Sequence, residues 1–233
     1  TLEAVTRVLA RNGVEVYVPE AQGCCGALNV HSGEQDSARK MARRNIDAFL
    51  EVETDAIIVA AAGCGSTMKE YGELLADDPE YAEKAAEVGE RSKDIHEFLS
   101  ELGFETPKGS MATDGVDLKV TYQDSCHLGL AQGITAPPRE LLYAIPGIEF
   151  VEMDESLVCC GSGGTYSLFE QEMSLRLARR KTDNIVASGA AVVATANPGC
   201  VIQREQALAR AGEGAQVRYI IDLLDESYRL GDD

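Results

Sequence analysis

A short apolar run that leads into glycine and cysteine occurs twice in this chain: AIIVAAAGC at residues 56–64 and AVVATANPGC at residues 191–200. A continuous run of small and β-branched apolar residues is typical of a strand that is buried on both faces of a parallel sheet. Segments with the apolar spacing of helices precede and follow these runs. Buried strands that alternate with helices predict an α/β fold with parallel sheets.

The two runs belong to an internal repeat. A shift of 136 positions places Arg43-Arg44 on Arg179-Arg180 and, without a gap, Gly63-Cys64 on Gly199-Cys200. A shift of 135 places Cys24-Cys25-Gly26 on Cys159-Cys160-Gly161. Self-similarity of this kind indicates two structural units of one design. We therefore expect two repeated Rossmann-like lobes with parallel sheets, related by pseudo-two-fold symmetry.

The boundary between the two repeats is expected in a segment rich in Gly, Pro, Ser and Thr, which is typical of a linker. This segment covers residues 103–116. The first Cys-Cys-Gly unit is then expected over residues 1–102 and the second over residues 117–233.

The seven cysteines form two sets at corresponding places in the repeat. Each cysteine or cysteine pair follows the C-terminal end of a predicted strand, and in an open parallel sheet these ends share the edge where ligands bind. The C-terminal set is Cys126, Cys159, Cys160 and Cys200, and the N-terminal set is Cys24, Cys25 and Cys64. The position corresponding to Cys126 would precede Thr1, so we expect the first unit to be truncated and its set to be incomplete.

The number and spacing of the cysteines favour metal or redox chemistry. An odd count argues against a complete disulfide set, and four thiolates can bind zinc or an iron–sulfur cluster. Zinc motifs leave two or more residues between ligands, whereas adjacent thiolates can bind different irons of one cluster. We therefore predict an iron–sulfur cluster, with zinc as the alternative.

Glycines and histidines beside the cysteine pairs are candidates for shaping the site. Gly26 and Gly161 let the backbone adopt conformations that other residues avoid. His31 and His127 either surround the cluster as hydrogen-bond donors and proton carriers, or are ordinary hydrogen-bonded histidines. We expect His96, on a predicted helix, at the surface.

The composition excludes some classes of function. The formal net charge of −18 opposes binding to nucleic acid phosphates, so we expect no nucleic-acid partner. No stretch approaches the roughly 20 apolar residues that span a bilayer. The sequence shows no secretory leader, and we expect a reducing, cytoplasmic location.

Seven segments of the chain together carry a family resemblance. They are QGCCGAL at 22–28, GCG at 63–65, MKEYG at 68–72, DSCHL at 124–128, PRELL at 138–142, CCGS at 159–162 and NPGC at 197–200. These segments are similar to the cysteine-rich (CCG) domain family, which occurs in heterodisulfide reductase and in partner subunits of several flavoenzymes. The chain resembles most the C-terminal part of the iron–sulfur subunits of glycolate oxidases (glycolate dehydrogenases).

The resemblance implies an electron-transfer subunit with a [4Fe–4S] cluster, which receives electrons from a flavoprotein subunit rather than binding glycolate itself. It also implies association with the inner face of the cell membrane only through such partners. The units of heterodisulfide reductase end in CxxC, which is absent after Cys64 and Cys200. A thiol–disulfide reductase and a structural module held by zinc or buried thiols remain the alternatives.

Overall fold

The structure is a computed structural model and describes residues 1–232. The helices are α1 (Leu2–Arg11), α2 (Ala27–His31), α3 (Gln35–Phe49), α4 (Ala62–Lys69), α5 (Tyr71–Leu74), α6 (Ala82–Arg91), α7 (Ile95–Leu102), α8 (Cys126–Gly129), α9 (Ala136–Ala144), α10 (Tyr166–Phe169), α11 (Gln171–Ser188), α12 (Pro198–Ala211) and α13 (Ile220–Asp232). The strands are β1 (Ile57–Val59), β2 (Ser92–Asp94), β3 (Leu118–Tyr122), β4 (Ile148–Glu152), β5 (Val192–Thr195) and β6 (Gln216–Tyr219).

The chain divides into two compact units. The larger unit consists of Thr1–Val16 and the residues from Leu99 onward, and the smaller unit is Tyr17–Phe98. These bounds differ from the division of the sequence repeat, because α1 packs against α13. Arg7 on α1 donates two hydrogen bonds, of 2.9 and 2.8 Å, to the buried carboxylate of Asp225 on α13.

The larger unit contains a four-stranded sheet in the order β4-β3-β5-β6, and every pair of neighbouring strands is parallel. All four residues of β5 are buried, as the apolar run at 191–196 predicts. Strand β4 lies on one side of β3 and strand β5 lies on the other side, so the chain reverses its direction across the sheet after β4. The C-terminal ends of β3 and β5 therefore form a topological switch point, where open α/β sheets bind ligands.

Helices α11 and α12 cover part of this sheet with apolar side chains. Ile185 of α11 and Leu208 of α12 pack with Met153 and Val193 in one buried cluster. The segment predicted as a linker is irregular, but it lies against α13, since Ser227 Oγ donates a hydrogen bond of 2.5 Å to the carbonyl of Gly109.

The smaller unit has a two-stranded parallel sheet, β1-β2. Its core joins residues of α3, α4, α5 and α6 to β1, with Ile46, Tyr71 and Val88 completely buried. Mixed α/β structure with parallel sheets is thus confirmed, with one sheet in each unit.

Three local predictions differ from the structure. Residues 14–18 alternate like a strand but are irregular, because no strand among residues 1–232 pairs with them. The apolar spacing of residues 79–95 predicts a helix, yet residues 92–94 form β2, and the sequence predicts no strand where β6 lies. Both are short, polar strands whose position depends on pairing with the apolar strands β1 and β5. None of the helices in residues 1–232 combines the length and hydropathy needed to cross a bilayer.

Candidate metal centre

The C-terminal set of cysteines lies at the edge where β3, β4 and β5 end. Cys126 is the first residue of α8, which follows β3, and Cys200 lies in the first turn of α12, which follows β5. Cys159 and Cys160 occupy the irregular loop between β4 and α10. The topology thus brings to the switch point residues that are 74 positions apart, from 126 to 200.

The thiols of the C-terminal set are linked in a chain of contacts. The Cys160 thiol is 3.5 Å from Cys200 Sγ, to which it donates. Cys159 interacts through hydrogen bonds with Cys126 on one side and with Cys160 on the other. Cys160 and Cys200 are buried, while Cys126 and Cys159 are partly exposed.

These contacts distribute the protons unevenly among the thiols. The hydrogen bond from Cys126 lowers the pKa of Cys159, and the same contact raises the pKa of Cys126. The hydrogen bond from Cys160 lowers the pKa of Cys200 to about 7, whereas the contacts with Cys159 and Cys200 raise the pKa of Cys160. The set can therefore carry negative charge near neutral pH, as metal ligands must.

Backbone and side-chain donors surround the same sulfurs. The Gly161 N–H lies 3.4 Å from Cys159 Sγ, and Asn197 Nδ2 lies 3.9 Å from Cys200 Sγ. His127 Nδ1 lies 3.6 Å from Cys126 Sγ, so the histidine predicted near this set does contact one of its sulfurs. Donors of this kind tune the potential of thiolate-bound clusters.

Gly161 holds the loop of the cysteine pair against α11. Its φ of +90° lies in the left-handed region, and a Cβ at this position would overlap the carbonyl oxygen of Ser174. The hydroxyl of Ser174 donates a hydrogen bond of 2.7 Å to the Gly161 carbonyl. Only glycine allows this close approach together with this backbone conformation. Gly26 lies beside Cys25 with φ +86°, and a Cβ there would be only 3.3 Å from the Cα and the carbonyl oxygen of Ala38.

An ion pair anchors the turn that presents Cys126. Arg139 on α9 donates two hydrogen bonds, of 3.0 and 2.8 Å, to the buried carboxylate of Asp124. Such bidentate pairs are strong and directional. The pair gives a structural role to Asp124 of the DSCHL segment and to Arg139 of the PRELL segment. It fixes the backbone two residues before Cys126.

Two buried cations that the sequence did not predict lie beside the C-terminal set. Lys181 on α11 and Arg204 on α12 are at most 1% exposed. Arg204 Nη2 donates a hydrogen bond of 2.7 Å to the carbonyl of Cys160, and Nη1 donates one of 3.0 Å to the Ala178 carbonyl. Lys181 Nζ donates to the carbonyls of Glu155 and Ser156. Burial lowers the pKa of Arg204 and that of Lys181, the latter to about 8. One signal was available, because Lys181 lies on the same helical face as Ala178 and Ile185.

The N-terminal set is smaller, and the side chains that bind the backbone of its cysteine pair are neutral. Contact with Cys64 lowers the pKa of Cys25 to about 6, and the same contact raises the pKa of Cys64. Tyr71 Oη donates a hydrogen bond of 2.8 Å to the Cys25 carbonyl, and Asn45 Nδ2 donates one of 3.0 Å to the Cys24 carbonyl. Cys24 is exposed.

The other two histidines differ in position. His31 is exposed at the end of α2. The expectation that His96 lies at the surface is wrong, since it is 2% exposed and its Nδ1 lies 2.7 Å from Asp94 Oδ1. Asp94 caps the start of α7, and Glu97 Oε2 accepts from the Asp94 N–H at 3.3 Å. The Asp94 carboxylate thus contacts both the backbone N–H and the ring of His96.

The C-terminal set fits a group that binds several thiolates at separate metal atoms. All four donors are sulfur, and they converge at one sheet edge. Their contacts are pairwise, and residues 1–232 contain no group of three or more His, Cys, Asp or Glu side chains arranged around a single ion. Ligation of a multi-iron cluster does not require such an arrangement, because each thiolate binds its own iron.

The sequence matches the profile of the cysteine-rich domain (CCG) family over residues 1–69 and 120–203, which is more than half of the chain. This chain belongs to the cysteine-rich CCG domain family. Each matched region contains one of the two cysteine sets, so the repeat seen in the sequence is a repeat of this domain.

Three relatives show the breadth of the family. A "Probable glycolate oxidase iron-sulfur subunit" of Bacillus subtilis (strain 168) is 41% identical over 97% of this chain and 51% of that protein. A subunit of the fumarate reductase (CoM/CoB) of Methanothermobacter marburgensis is 35% identical over 97% of this chain and 42% of that protein. The "Lactate utilization protein A" of Shouchella clausii is 30% identical over 94% of this chain and 89% of that protein. The chain thus spans about half the length of the first two relatives.

Proposed function

We propose that this chain is an iron–sulfur electron-transfer component of a flavin-dependent complex that oxidises glycolate or a related 2-hydroxy acid. The observation that carries the proposal is the convergence of Cys126, Cys159, Cys160 and Cys200 at the sheet edge, in a chain whose relatives are named as iron–sulfur and oxidoreductase subunits. The rest of such a complex would bind the acid.

In this proposal the four thiolates of the C-terminal set hold a [4Fe–4S] cluster. A bound cluster supplies a one-electron carrier. The chain's own residues hold and adjust it: Gly161 fixes the loop of the cysteine pair, and Asp124 with Arg139 fixes the turn before Cys126. The N–H of Gly161 and the ring of His127 lie beside two of the sulfurs.

The partners and location follow from the same proposal. A flavoprotein subunit delivers the electrons, and contact with the inner face of the cell membrane is made through partners only. The seven cysteines are all free thiols, which supports a reducing cytoplasm. The domain repeat supports two lobes related by pseudo-two-fold symmetry, with a second cysteine set, Cys24, Cys25 and Cys64, in the first lobe.

Chemical analysis of anaerobically prepared protein tests the proposal. We expect iron and acid-labile sulfide in about a 1:1 ratio, a brown colour and an EPR signal after dithionite reduction. Stoichiometric zinc without a redox response would instead identify a structural module. A spectrum that changes on addition of a disulfide substrate would identify a thiol–disulfide reductase. Protein that takes up neither iron nor sulfide during anaerobic reconstitution would rule out the proposed function.

A further inference from the structure

The C-terminal set is flanked by two buried positive charges, of which Lys181 also interacts electrostatically with the carboxylates of Asp124 and Glu155. Among residues 1–232, neither Arg204 nor Lys181 forms an ion pair with Asp or Glu; their hydrogen bonds go to backbone carbonyls and to the Thr182 hydroxyl. Arg204 Nε is buried and has no hydrogen-bond acceptor. Buried charges are costly unless an opposite charge compensates them.

The opposite charge near Arg204 comes from the cysteines. The groups that act electrostatically on the guanidinium are the thiols of Cys160, Cys200 and Cys159. Arg204 is also bound directly to the backbone of one ligand, through the 2.7 Å hydrogen bond to the Cys160 carbonyl. Negative charge on the sulfurs of this set would therefore compensate the charge of Arg204.

The N-terminal set provides an internal comparison, because its elements correspond one to one. Helix α3 starts at Gln35 and α11 at Gln171, while α4 starts at Ala62 and α12 at Pro198, and both differences are 136 positions. At this shift Lys181 corresponds to Asn45 and Arg204 to Met68. Asn45 and Met68 are buried as well, so the same two places hold neutral residues in the smaller unit.

A neutral residue also performs the structural task in the N-terminal set. The carbonyl of Cys25, which corresponds to Cys160, accepts its hydrogen bond from the Tyr71 hydroxyl at 2.8 Å. The loop of a Cys-Cys-Gly triplet is thus secured without a cation. A positive charge is therefore not needed to hold such a loop in place, and the charge of Arg204 is free to serve the site.

We propose that Arg204, assisted by Lys181, is the counter-charge of the C-terminal cysteine set and raises the reduction potential of the cluster bound there. The inference rests on the proposed function. In a low-dielectric interior a fixed positive charge stabilises the reduced cluster, which carries one more negative charge, relative to the oxidised one. The N-terminal set lacks both cations and has no such bias.

Redox titration of anaerobically reconstituted protein, followed by EPR, tests this role. Each cluster takes one electron from dithionite through mediators. For Arg204→Gln, which removes the charge but keeps an amide donor, we expect the equilibrium constant for reduction to fall at least about tenfold, or ~59 mV for one electron. Arg204→Lys keeps the charge and should restore most of the wild-type potential.

A matched control removes an equal charge from the solvated face of α11. Arg179 is exposed two residues from Lys181, so Arg179→Gln should leave the potential within a twofold change in the equilibrium constant, because water and salt screen exposed charges. If Arg204→Gln does not fold, the reduction potentials of Lys181→Gln and Lys181→Arg are compared instead. This pair tests the effect of charge at the second cation.

The outcomes separate this inference from the proposed function. Iron and sulfide are measured first, and a wild-type chain that assembles no cluster contradicts the proposed function and the inference together. A cluster that assembles with an unchanged potential in Arg204→Gln contradicts only the inference. Equal shifts in Arg204→Gln and Arg204→Lys also contradict it, since they would show a packing effect rather than a charge effect.

Discussion

Adjacent residues in the Cys-Cys-Gly triplet have different surroundings. Cys160 is buried and its carbonyl binds Arg204, while Cys159 is partly exposed and its sulfur faces the Gly161 N–H. Side chains of neighbouring residues in an irregular loop point in different directions, so the two thiols can reach different metal atoms.

Serine in place of one ligand tests which set holds the cluster. We expect Cys200→Ser to weaken cluster binding by at least about tenfold, because metal affinity responds by this much even to changes around a ligand. Cys25→Ser, at a buried cysteine of the N-terminal set, should retain most of the iron. Iron and sulfide content after anaerobic gel filtration measures both. Equal loss in the two variants would contradict assignment of the cluster to the C-terminal set.

Alanine at Gly161 should loosen the loop of the cysteine pair. The new Cβ both disfavours φ +90° and overlaps the Ser174 carbonyl, so we expect a loss of about 2–3 kcal/mol in the free energy of unfolding. Gly212→Ala is the control, because Gly212 has φ +73° with open space around it and should lose only about 1 kcal/mol. Urea denaturation measures both. Similar losses in the two variants would show that the contact with Ser174 is unimportant.

Helix α11 shows how one element serves both the core and the site. Its buried face presents Ile185 to the sheet and Lys181 to the loop before the cysteine pair, and its N-terminal part packs on Gly161 through Ser174. The helical repeat of 3.6 residues places these side chains on one face at successive turns. Stability of this helix and order in the cysteine loop are therefore coupled.

Neighbouring residues of α11 give a matched test of the packing. Ile185 is completely buried, whereas Val186 is 46% exposed. We expect Ile185→Ala to lower the free energy of unfolding by about 2–5 kcal/mol, through lost burial and the cavity left behind. Val186→Ala should change it by less than about 0.5 kcal/mol. Chemical denaturation followed by circular dichroism compares them, and equal effects would contradict the packing described for α11.

At the scale of the whole molecule, the balance of charge opposes compactness. The chain has 39 acidic and 21 basic residues, a formal net charge of −18. Many basic residues are already engaged, as Arg7 is with Asp225 and Arg139 with Asp124. The excess acidic charge on the surface therefore repels itself, and this repulsion decreases when salt is added.

Sodium chloride should accordingly raise the thermal stability. Between about 10 mM and 150 mM salt the Debye length falls from roughly 30 Å to 8 Å, so we expect Tm to rise by several degrees over this interval. Differential scanning fluorimetry at constant pH measures the change. A Tm that stays constant or falls would show that attractive surface ion pairs outweigh the repulsion.

Local pattern and internal repetition determined much of this protein. The apolar runs at 56–62 and 191–196 predicted buried parallel strands, and the internal repeat predicted which cysteines correspond. Both predictions were possible because they depend only on the order of residues along the chain. Only the tertiary structure decided that residues 92–94 and 216–219 become strands, since these polar segments take their form from the strand beside them. It also decided that His96, Lys181 and Arg204 are buried. Burial of a polar side chain depends on which faces of distant elements meet, and a local pattern such as the helical face that Lys181 shares with Ala178 and Ile185 contains only part of that information.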